Sequence, residues 1–137
     1  MATKKTWTDK LNDDKAHKVK RLDKDFVDIH AGDNMLVATP QIVDGYIKQV
    51  PEGKVVNNKT MRKDLAYEYG ADNTCPVSTG IFLRIAAEAA YEKHLQGIPV
   101  ENITPFWRII DENSSLAKKL ACGPEFIKEQ REREAIA

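Results

Sequence analysis

The sequence predicts a mainly α, winged-helix-like domain: a helix-turn-helix plus a small β element, preceded by an N-terminal arm. Three observations lead there. Apolar residues at helical spacing mark "QIVDGYIKQV" and a second helix from about Lys59 to Tyr69. A tight connection, "ADNTCP", leads from that second helix into the longest helix of the chain. A β-rich run, "ITPFWRII", follows it and stands where a wing belongs.

Residues 1–37 read as an extension and residues 38–137 as the domain. The stretch "DKLNDDKAHKVKRLDKD" alternates charges and is poor in apolar anchors. A short helix from about Thr8 to His17 is predicted there. Trp7, Leu11, Leu22, Phe26 and Ile29 are sparse enough for an arm laid over the domain. "AGDN" is a turn and "MLVATP" a short strand. Thr39 and Pro40 are an N-cap and first helical residue. Ile42, Val43, Tyr46, Ile47 and Val50 form one apolar face before Pro51 and Gly53 end the helix.

"KVV" is a short extended piece and "NNKT" a turn that supplies a cap. Met61, Leu65, Ala66 and Tyr69 share one side of the next helix, with Gly70 just past its end. Pro76 opens the long helix, whose Val77, Ile81, Leu83, Ile85, Ala86, Ala89 and Ala90 make a broad apolar surface. Gly97 and Pro99 stop it. "DENS" is a turn, and Gly123-Pro124 starts a last helix anchored by Phe126 and Ile127.

Composition narrows the function classes. The chain has 137 residues, 42% hydrophobic and 31% charged, with a formal net charge of zero. Its pI is near 6.8. That is not a polycation that binds nucleic acid by bulk charge, so a nucleic-acid site requires a local basic patch. No run of about 18 apolar residues is present, so no membrane span is expected. The first residues lack the apolar stretch of a secretory signal. Two cysteines, Cys75 and Cys122, without CxxC spacing, fit a reduced cytoplasmic protein. His17, His30 and His94 are far apart and show no ligand spacing, so neither metal nor cofactor is expected.

The segment "VPEGKVVNNKTMRKDLAYEYG", a long Gly-containing helix, Pro-x-x-Arg-Ile-Ile and a final helix ending "EREAI" together resemble the DNA-binding domain of the methylated-DNA–protein-cysteine methyltransferase family. The resemblance covers roughly Ala38 to Ile136. The family's active-site motif is Pro-Cys-His-Arg followed by Val or Ile. Here the run is Pro105-Phe106-Trp107-Arg108-Ile109, and the family's late Glu-Gly pair looks like Glu134-Ala135. The resemblance implies a thiolate that takes an alkyl group from O6 of guanine. A thiol needs a base within reach, and Phe106 and Trp107 can supply neither. The base-eviction tyrosine and arginine of the family fall near Met61 or Arg62 and at Val77, and look absent. The resemblance is therefore to the alkyltransferase-like branch, which lacks the cysteine, binds alkylated DNA without repairing it and recruits other repair factors.

The resemblance thus implies a non-catalytic lesion-sensing protein that binds double-stranded DNA, alkylated or not, with no catalytic residue. Pro105, Phe106, Trp107 and Arg108 would line a vestigial pocket. Phe106 and Trp107 either stack on a base or fill the volume of a lost pocket. Arg108 either touches DNA or holds a carboxylate or carbonyls. Lys54, Lys59, Arg62 and Lys63 form the best local basic patch. Ser78 and Thr79, in the first turn of the long helix, suit a phosphate or simply cap the helix. Arg84 lies further along and could meet backbone phosphate. Gly80 costs about 1 kcal/mol in a helix interior relative to Ala, which a close approach by another helix or by DNA would explain. The alternative is a scaffold repurposed for protein interaction or a small ligand, with no DNA role. A third reading, an enzyme using Cys75 or Cys122, has no histidine nearby in sequence to support it.

Overall fold

The computed structural model describes residues 6–13 and 15–136. Among them are six α-helices and one three-stranded sheet, so the chain is mainly helical. Helix α1, Trp7–Leu11, opens on a reciprocal cap. The Asp9 amide donates to the Thr6 hydroxyl at 3.0 Å, and the Thr6 amide to the Asp9 carboxylate at 3.1 Å. The helix is far shorter than the predicted Thr8–His17. Leu11 is its one buried residue, and no described residue from 12 to 21 is buried.

That run becomes a strand instead. β1, Lys18–Arg21, pairs antiparallel with β2, Asn34–Val37. β3, Asn73–Thr74, pairs parallel with β2 from the other side. The sheet thus ties residues 18–37 to the segment before the long helix. Side chains alternate across β2: Leu36 enters the main core, while Met35 joins a small cluster with Leu22, Ile29 and Cys75.

Helix α2, Pro40–Lys48, starts on Thr39, whose hydroxyl accepts the Ile42 amide at 3.2 Å. Val43 and Ile47 are fully buried along it. Helix α3, Asn58–Glu68, is capped by Asn57, which accepts the Thr60 amide at 2.8 Å. It ends at Gly70, where φ of +69° suits the absence of a side chain. Helix α4, Pro76–Leu95, runs past the sheet and buries Leu83, Ala86, Ala87, Ala89 and Ala90. A single main core joins α2, α3 and α4 to Phe106, Trp107, Ile109 and Ile110.

The predicted wing strand is absent: no strand follows α4 among the described residues. "ITPFWRII" is a loop around one 3-10 turn, Phe106–Arg108. A strand sends consecutive side chains to opposite faces. Here Phe106, Trp107, Ile109 and Ile110 all enter one core, which a turn permits and a strand does not. Amide-to-carbonyl bonds from Arg108 to Pro105 and from Ile109 to Phe106 close the turn at 3.0 and 3.1 Å. Helix α5, Ser115–Lys119, was not predicted; it is capped by Ser114. Helix α6, Gly123–Arg133, lies where the last helix is predicted.

Candidate nucleic-acid interface

The motif residues Pro105 to Arg108 are held by a carboxylate that lies just past α6. The Glu134 side chain is fully buried. It accepts the Trp107 indole N–H at 2.8 Å, the Arg108 Nε and Nη2 at 2.8 Å each, and the Gly53 amide at 3.2 Å. Arg108 Nη1 donates to the Val50 carbonyl at 2.7 Å. Burial pushes the Glu134 carboxyl up, but the bonds from Arg108, Trp107 and Gly53 outweigh it and hold it below its ordinary value. Arg131 donates to the Trp107 carbonyl at 2.8 Å and to the Ile110 carbonyl at 3.2 Å. Upstream, the Thr104 hydroxyl donates to the buried Asp44 carboxylate of α2 at 2.7 Å. The loop is thus pinned to α2 at Thr104, and to α6 and the residue after it at Trp107, Arg108 and Ile110.

Phe106 and Trp107 are 0% and 1% exposed. Phe106 stacks on Phe126 of α6 with centroids 5.8 Å apart, and Trp107 meets both rings edge-on. No ring face remains for a base, so the two aromatics are core filler. Of the two cysteines, Cys75 is buried and caps α4, its sulfur accepting the Ser78 amide at 3.5 Å. Burial, with the Glu88 carboxylate nearby, pushes the Cys122 thiol up to about 11, away from a reactive thiolate.

The predicted DNA contacts separate into two groups. Lys54, Lys59 and Lys63 are exposed. Arg62 turns inward: its guanidinium donates to both oxygens of Asp28 at 2.9 and 2.8 Å, and to the Thr74 carbonyl at 3.0 Å. The Arg62 bond, opposed by desolvation, leaves Asp28 more acidic than usual. Thr79 is fully buried and donates to the Cys75 carbonyl at 2.6 Å. The Ser78 hydroxyl is buried without a partner. Among the residues predicted on α4, Arg84 alone borders an open face; its guanidinium lies 3.6 Å from the buried Glu88 carboxylate and donates to the Lys119 carbonyl at 3.3 Å.

That face is a hollow of about 550 Å³. Val77 and Ile81, one turn apart on α4, are 54% and 55% exposed along it. A Cβ added at Gly80, beside them, meets nothing within 4 Å. The glycine therefore serves no helix–helix approach among the described residues. Lys10, Arg84 and Lys119 surround the hollow, and no carboxylate lines it among the described residues. Asn58 and Ser115, the first residues of α3 and α5, stand at its edge. Trp7 lies beside it, with Lys10 Nζ and Arg84 Cζ at 4.2 and 5.4 Å from its ring centroid. Glu92 of α4 fixes α1 there by accepting the Trp7 and Thr8 amides at 3.2 Å each and the Thr8 hydroxyl at 2.7 Å.

Sequence reasoning missed Lys10 and Lys119 because their helices carry little apolar signal. The Ser114 cap before "SLAKK" was the sign available for α5. Among the described residues no helix is long and apolar enough to cross a membrane, and no group of three or more His, Cys, Asp or Glu is placed to hold a metal ion. In comparisons with known proteins, no family model, no curated protein and no solved structure matches this chain.

Proposed function

We propose that this protein is a non-catalytic DNA-binding module that docks the open face of α4 on double-stranded DNA. The observation that carries this reading is the hollow around Val77, Gly80 and Ile81, ringed by Lys10, Arg84 and Lys119 with no carboxylate in its lining among the described residues; Glu88, paired with Arg84, lies buried behind it. An apolar floor that a backbone can approach closely, inside a ring of cations, suits a polyanion with flat, partly apolar groove walls. The α3–β3–α4 order supports a helix-turn-helix reading, now without a wing.

The likeness to the alkyltransferase-like branch gains support at one further place. Ala135 has φ of +59°, a backbone that favours glycine, and it occupies the position of glycine in the family's Glu-Gly pair. Lesion readout by stacking on Phe106 or Trp107 is not part of the proposal, since both rings are buried. The rival reading, a protein partner in the same hollow, is favoured by the exposed Val77 and Ile81.

Salt separates the two. Fluorescence anisotropy on a duplex of about 20 base pairs, plain or carrying O6-alkylguanine, is expected to show binding that weakens steeply between about 50 and 200 mM salt. Arg84→Ala and Lys119→Ala are each expected to flatten the log–log salt slope by about one. An absence of binding at micromolar protein in low salt sinks the DNA reading.

A further inference from the structure

We infer that the DNA-binding surface extends beyond α4 along the N-terminal segment, so that β1 contacts the phosphodiester backbone next to the α4 contact. The inference rests on the DNA reading of the α4 hollow and adds a second, separate contact region.

The hollow on α4 does not end at α1. Lys10, Ile81 and Ile85 also line a neighbouring hollow, whose far wall includes Lys18 and Val37. Lys18 and Val37 in turn line a third hollow, over Met35 and Cys75. The three share walls and form one furrow, from Lys119 on α5, across α4 and under α1, to the outer face of the sheet.

The charge along this furrow differs from that of the chain. The chain as a whole carries no net charge. The furrow carries seven cationic side chains and three carboxylates among the described residues. Ile81, Ile85, Val37 and Met35 give it an apolar floor, with Thr39 and Ser78 beside them.

The register of β1 aims its lysines into the furrow. Lys18 pairs with Val37 and Lys20 with Met35. Directly paired residues share a face of the sheet, so both lysines stand over the floor residues. They are two positions apart on a strand, which spaces them by roughly 6.6 Å. All four β1 residues are exposed, and β1 is an edge strand. Lysines on an edge also deter strand pairing between copies. That role does not explain why further cations, Lys15 and Lys24, continue the same line.

The test is the double variant Lys18→Ala/Lys20→Ala in the full chain, titrated with the same duplex over a salt series. Both side chains are exposed, so a thermal melt is expected to match the wild type. Lys24→Ala, in the loop after β1, is an independent second variant. The double variant is expected to bind roughly tenfold to hundredfold more weakly, with the salt slope reduced by about two. Wild-type affinity and slope in both variants, while the wild type itself binds DNA, overturn this inference and leave the α4 reading intact. No binding by the wild type overturns both. A poly-glutamate peptide that competes as well as DNA at equal charge overturns the assignment to nucleic acid.

Discussion

Arg108 and Glu134 meet through two parallel hydrogen bonds of 2.8 Å in the interior, with 14% and 0% of their side chains exposed. The remaining lone pairs of the carboxylate take the Trp107 indole and the Gly53 amide. Pro105, Trp107 and Arg108 border a hollow of about 370 Å³ together with Arg133, whose Nη2 also reaches Glu134 at 3.4 Å, but Trp107 is only 1% exposed and the Arg108 fork is spent on Glu134 and Val50. The arginine of the motif therefore serves architecture: it locks the loop that seats Phe106 and Trp107.

Glu134→Gln turns one acceptor oxygen into an amide that faces donors. A buried cation left with a poor partner costs about 3–5 kcal/mol. Urea unfolding followed by tryptophan fluorescence is expected to show a loss of that size. Arg108→Ala should lose a similar amount, and the double variant much less than the sum of the two. Additive losses in the double-mutant cycle contradict the coupling described.

Acid is expected to weaken the fold through the same carboxylate. Glu134 lies below its ordinary 4.5 in the folded state, as do Glu92, held by the Thr8 hydroxyl against desolvation, and Asp28, whose ordinary value is 3.8. A depressed folded pKa stabilises above the unfolded value, and the gain fades as pH falls through the folded one. Stability should therefore be flat above about pH 5 and drop below about pH 4.5. Urea midpoints across pH 3 to 7 check this. The drop should be shallower in Glu134→Gln, and an equally steep drop in that variant assigns the effect to other groups.

Gly80 separates the needs of folding from those of binding. It lies in a helix interior, with open space where a Cβ would stand. Gly80→Ala is expected to stabilise the fold by about 0.5–1 kcal/mol. Gly80→Leu should fold with a melting temperature no lower than the wild type's but fill the hollow, weakening DNA binding. A Leu variant that binds as tightly as the wild type removes the α4 face from the interface.

Much of the helical frame was legible in the sequence because its signals are local. Thr39-Pro40, the "NNKT" turn and Pro76 announce helix starts, and Gly70 and Gly97 announce stops. The wing failed for a non-local reason. "ITPFWRII" has β-forming residues, but five of them, Ile103, Phe106, Trp107, Ile109 and Ile110, share one core, which a propensity reading cannot register. β1 was hidden because its four residues are all exposed, and only pairing with β2 makes them a strand. Arg62 shows the same limit at the site. It sits among lysines in sequence, and only the folded chain brings Asp28 and Thr74 against it. Lys10, Arg84 and Lys119 lie far apart in sequence and become neighbours through the packing of α1 and α5 around α4.

The Glu134 junction also bears on the order of assembly. Its partners stand 81, 27 and 26 positions earlier in the chain. Loops of that length close slowly and reward the chain only once closed. A ribosome releasing this chain from its N-terminus delivers the sheet, α2, α3 and α4 first. The guanidinium of Arg108 then waits without its counter-charge until residue 134 emerges. Completion of the core therefore waits for residue 134, and until it emerges the nascent chain carries an unpaired Arg108 and an unfinished core, the kind of species exposed to capture by chaperones and proteases.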